Sequence, residues 1–154
     1  MGAGKEEIRE FLNRVADALD REAWDEFLSM CAPEFEYRVT AHSYELDEDM
    51  IWLIHDLDGL RHLFEVLPEQ LGRKGTRMLR HVSIVAIEPG ETDGRMVATS
   101  KVIAVRTSPE GVSELFAAGR YIDVVDAAGA APRLIRRETR LDTRELGIGS
   151  HVPI

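Results

Sequence analysis

The sequence holds a single cysteine, Cys31. That excludes an internal disulfide and every C-x-x-C site, whether for zinc, for redox exchange or for covalent haem. Cys31 itself reads as a core residue, because an unpaired cysteine behaves as a small hydrophobe. Long apolar runs are missing too, and no stretch is long enough to cross a bilayer. The opening "MGAGKEEIRE" has neither the basic start nor the apolar stretch of a signal peptide, which sets the expectation of a cytoplasmic protein. Positive charge is also scarce: 19 Lys and Arg stand against 28 Asp and Glu, a net charge of −9. Such a surface repels phosphate backbones and anionic lipids, so neither nucleic acid nor membrane is an expected partner.

What is present is the composition of one folded domain spanning 1–154, with 44% hydrophobic and 31% charged residues. Ile8, Phe11, Leu12, Val15, Ala16 and Leu19 recur at helical spacing, and Glu6 and Glu7 suit the positive N-terminal end of that helix. Asp20 is placed to cap a second helix through "REAWDEFLSMC", which Pro33 ends. "PEFEYRVTA" alternates as a half-buried strand, and "MIWLI" reads as a short buried one. Asp56 or Asp58 can cap a third helix with Leu57, Leu60, Phe64 and Leu67 inward. Residues 77–88, 95–107, 112–126 and 133–142 are long strands. The short loops joining them, "PGETDG", "SPEG" and "AAGAAP", make them antiparallel neighbours. The predicted fold is α+β: N-terminal helices on one face of a strongly curved, mainly antiparallel sheet, with the earlier strands added at an edge. In "MVATSKVIAVR" both pleat faces are apolar. Helices can cover only one of them, so the other is expected to meet another chain.

Few residues suggest chemistry. A Rieske-type iron–sulfur site needs paired Cys and His, which one cysteine cannot supply. His55, Asp58 and His62 have spacing i, i+3, i+7 on the expected third helix, but two turns separate the imidazoles by roughly 10 Å, too far for one metal ion. His42 and His81 are alternatives as general bases, against the plainer reading of structural histidines. Asp123 and Arg137 fall on adjacent strands and can face one buried surface. A structural ion pair is the expectation there, with a catalytic Asp123 as the alternative. Arg133, Arg136, Arg140 and Arg144 form a basic stripe, read as a solvated or interface edge.

Three stretches, "RHVSIVAIEPGETDGRMVATSKVIAVRTSPEG", "ELFAAGRYIDVV" and "RLIRRETRLDTREL", resemble the small (β) subunit of the Rieske-type ring-hydroxylating oxygenases. "AWDEFLSMCAPEFEYRV" is similar to the helix-to-strand entry of the wider nuclear transport factor 2-like, or cystatin-like, fold, a cone of helices wrapped by a curved sheet. The resemblance implies a non-catalytic role in structure and assembly. The Rieske cluster and the mononuclear iron would lie on a large α subunit, this chain would carry no cofactor, and the β subunits would form a trimer within α3β3. "LPEQLGRKGTRMLRH" departs from the acidic, Pro-rich and Trp-containing stretch often seen before the "R-H" strand. The subfamily therefore stays open between aromatic substrates and the small sulfonates that a related group hydroxylates.

The rival reading is a stand-alone enzyme of the same cone, an isomerase, dehydratase or cyclase, with Tyr37, His42, His81 and Asp123 as its candidates. A small-ligand binding module is the third class. The tail, residues 146–154, has no period, and Gly147, Gly149 and Pro153 break regular structure. Its Leu146, Ile148, His151, Val152 and Ile154 are expected at a subunit interface.

Overall fold

The first apolar stripe forms helix α1 (Lys5–Asp20). In the computed structural model, which describes residues 2–71, 75–145 and 153–154, its Ile8, Phe11, Leu12, Val15, Ala16 and Leu19 are all buried. Glu22, at φ 57°, lies in the left-handed region and ends the helix: Glu22 N–H donates to the Leu19 carbonyl, and Ala23 N–H to the Ala18 carbonyl. The second helix, α2 (Trp24–Ser29), therefore starts at Trp24 and has no side-chain cap. Asp20 was expected to provide that cap. It ends α1 instead, and its carboxylate accepts from the backbone N–H and from Nη1 of Arg80 at 3.1 and 2.8 Å.

Strand β1 (Cys31–Ser43) begins where the sequence still looked helical. Cys31 pairs in parallel with Leu134, and the Leu134 N–H donates to the Met30 carbonyl at 2.9 Å. These contacts draw the chain into the sheet before Pro33. Strand β2 (Glu48–Asp56) is longer than "MIWLI" and is an edge strand, not a buried one; Ile51 and Ile54 are about half exposed. It also contains His55, so His55, Asp58 and His62 do not share a helix. Asp56 caps α3 (Leu57–Leu71) by accepting from the Gly59 N–H at 2.7 Å. Leu60 and Phe64 are buried in the core and Leu57 packs against it, while the Leu67 side chain lies outside the described residues.

The remaining strands are β3 (Arg77–Pro89), β4 (Arg95–Thr107), β5 (Ser113–Asp126) and β6 (Arg133–Leu141). Gly94, at φ 81°, lets the β3–β4 turn close. Among the described residues the sheet has six strands in the order β2-β1-β6-β5-β4-β3. All neighbours are antiparallel except β1 and β6, which run parallel. The sheet is mixed, curved and open, and the helices cover one face: α1 lies against β3, and α3 against β1 and β2. Trp24 stacks on Phe64 at 4.5 Å between centroids, and Phe27 meets both Phe35 and Phe64 edge-on, which ties α2 and α3 to β1. β5 and β6 approach very closely at Gly119, where a Cβ would lie 2.2 Å from the Arg140 carbonyl oxygen.

Candidate functional site

On the covered face, strand register sets Tyr37 of β1 beside Arg137 of β6, and Arg137 beside Asp123 of β5. Arg137 donates twice to Asp123, Nε to Oδ1 at 2.7 Å and Nη2 to Oδ2 at 2.9 Å, and both side chains are almost fully buried. The guanidinium carbon lies 3.8 Å from the centre of the Tyr121 ring. Burial works against the Arg137 charge, but the adjacent Asp123 outweighs it and holds the Arg137 pKa above its ordinary value. Burial also pushes the Tyr37 phenol up to about 12. Both Asp123 oxygens are engaged by a permanent cation, so this carboxylate is not a free base.

The four candidates of the enzyme reading are not brought together. Tyr37 and Asp123 share the inner face. His81 is exposed on the opposite face of β3, where its partner is Ile103. His42 also points outward, with Nδ1 2.8 Å from Asp49 and its ring edge-on to Tyr44. Cys31 is buried and its thiol is pushed up to about 12 by that burial, which makes it inert as a nucleophile. Among the described residues no three of His, Cys, Asp and Glu gather where they could hold a metal ion.

Sequence reasoning missed a second interior cation. Arg80 is buried opposite its exposed neighbours Leu79 and His81, pairs with Asp20, and donates through Nη2 to the carbonyl of Pro153. Ile154, expected between subunits, is covered by its own chain: it is 3% exposed within the core, and its N–H donates to the Tyr37 hydroxyl at 3.0 Å. Leu146, Ile148, His151 and Val152 lie outside the described residues.

The outer face of the sheet has a different character. Leu79 of β3 pairs with Val105 of β4, and Val105 with Leu115 of β5, which makes an apolar row across three strands; Leu79 is 61% and Leu115 66% exposed. Ile103 and Val85 are also exposed, and no described helix covers them. The basic stripe is interleaved with acids: Arg140 meets Asp49 at 2.8 Å, and Arg144 meets Glu45 at 2.6 Å. Exposed pairs of this kind contribute little to stability.

Comparison with known proteins identifies the family. Residues 14–147 match the ring hydroxylating beta subunit family. The beta subunit of 2-aminobenzenesulfonate 2,3-dioxygenase from an Alcaligenes species is 35% identical over 147 residues, covering 96% of this chain and 97% of that one. The beta subunit of the methanesulfonate monooxygenase hydroxylase from Methylosulfonomonas methylovora is 30% identical over 155 residues, covering 96% of this chain and 85% of the relative. A chain in the solved structure of naphthalene 1,2-dioxygenase with indole bound shares the fold, with a TM-score of 0.81 at 20% identity, covering 97% of this chain and 85% of the other. With a matching family over most of its length and two relatives at 30% identity or more, the chain belongs to the ring hydroxylating beta subunits.

Proposed function

We propose that this chain is the non-catalytic assembly subunit of a multicomponent oxygenase in the cytoplasm, joined to a catalytic large subunit as a trimer within α3β3. The large subunit would carry the Rieske cluster and the mononuclear iron and draw electrons from NAD(P)H through other proteins. Both curated relatives are beta subunits of oxygenases named for sulfonates. That supports an organic sulfonate as the substrate of the whole enzyme. The observation that carries the assembly role is the outer face: an apolar row of Leu79, Val105 and Leu115 that no described helix of this chain covers. The interior supports the same reading, since its carboxylate is locked by Arg137.

The test is to introduce Leu79→Asp together with Leu115→Asp and co-express the variant with the catalytic large subunit of the same enzyme. Both positions are solvent-exposed in the single chain, so the variant is expected to fold with a melting temperature close to wild type. It is expected to lose association with other chains. Undisturbed assembly of the doubly substituted chain would remove the outer face from the account.

A further inference from the structure

Pro153 and Ile154 lie inside the fold, twelve and thirteen positions beyond the last strand, and main-chain hydrogen bonds hold them there. Tyr37 and Arg80 read the main chain of the dipeptide: the Tyr37 hydroxyl accepts from the Ile154 N–H, and Arg80 donates to the Pro153 carbonyl. Proline has no N–H of its own, so burying it leaves no donor to satisfy. The Ile154 side chain completes the apolar core. Arg80 is held in place by Asp20, from the end of a different element.

Arg80 belongs to an inner face that also carries other unpaired polar atoms. Arg80 Nε, Arg137 Nη1, the Tyr121 hydroxyl and Ser100 Oγ are buried on the inner face with no hydrogen-bond partner among the described residues. Ser100 and Tyr121 are direct neighbours across β4 and β5. A wall that keeps unpaired donors accepts water at low cost when an apolar segment withdraws, whereas a wholly apolar wall does not. We infer that the cone interior is a docking site for a Pro-Ile peptide segment, filled in cis by Pro153–Ile154, gripped at its main chain by Tyr37 and Arg80 and at the Ile154 side chain by the apolar core, and open to the same segment in trans once the chain's own copy is removed. The site is a reversible anchor for the tail. It stands apart from the proposed oxygenase role, since it is tested on the isolated chain and survives the loss of every partner.

In the intact isolated chain, the Ile154 amide is expected to exchange with deuterium far more slowly than an unstructured terminus. Tyr37→Phe is expected to speed that exchange about tenfold, the loss of roughly one hydrogen bond, while amides of β4 and β5 are unchanged. Free exchange at Ile154 in the wild-type chain overturns the inference. The second arm shortens the chain to end at Val152 and adds an acetylated peptide of residues 149–154. Saturable binding with a rise in melting temperature is expected, and is absent when the peptide carries Ile154→Asp or when the wild-type chain, whose site is filled, is used. A folded shortened chain that ignores the peptide also overturns the inference.

Discussion

Asp123 and Arg137 neutralise each other's buried charge, so neither is replaceable alone. Both Asp123 oxygens accept from Arg137, and Tyr121 faces the guanidinium from the other side. Asp123→Ala or Arg137→Ala strands the remaining charge, and each is expected to lower stability by roughly 3–5 kcal/mol in chemical denaturation. Replacing both by apolar residues of similar volume is expected to cost much less, because no charge is left buried. A double variant as unstable as either single one would show that the pair does more than neutralise itself. This pair was readable from pleat parity, since adjacent strands put positions 123 and 137 on one face. Arg80 was not. An arginine beside a leucine in a strand reads as the outward residue, and its partner Asp20 is 60 positions away on a helix whose end the sequence mistook for the start of the next.

At the scale of elements, the long meander was readable because Gly- and Pro-containing loops delimit it, and β4 has the expected bounds (Arg95–Thr107). What alternation could not show is where it slips. A bulge between β4 and β5 lets Ala104 face Ala117 while Val105 faces Leu115, so Leu115 is turned to the outer face although parity from Tyr121 and Asp123 put it inside. The parallel pairing of β1 with β6 was equally hidden, because it joins elements from opposite ends of the chain. One ion pair links these distant parts: Arg144, just after β6, holds Glu45 in the β1–β2 turn and keeps its carboxyl down at about 2. The folded pKa is below the unfolded value. The contact therefore contributes fully above the ordinary carboxylate range and is lost as pH falls through about 2. An NMR titration is expected to place Glu45 there in the wild type and to move it up toward the ordinary range in Arg144→Ala, with the Ser43 and backbone hydrogen bonds keeping part of the shift; an unshifted Glu45 in the wild type would deny the contact in solution.

At the scale of the whole molecule, helices close one face of a curved sheet, and no described helix covers the apolar row on the other. The expectation that this second face meets another chain came from one strand, "MVATSKVIAVR", whose two sides are both apolar. The tail was harder to read. Its lack of period marked it only as irregular, and nothing in it showed that Ile154 packs into the interior of its own fold, because nothing local encodes a contact with Tyr37. The central claim, that this chain assembles an oxygenase and does no chemistry itself, is tested most directly by co-expressing it with a catalytic large subunit and measuring the mass and metal content of what forms. The account predicts a particle with equal numbers of both chains, three of each. Iron and iron–sulfur absorbance should belong to the large subunit, with neither bound by this chain purified alone and reconstituted. A chain that stays separate from a folded, metal-loaded large subunit, or that binds stoichiometric iron by itself, would contradict it.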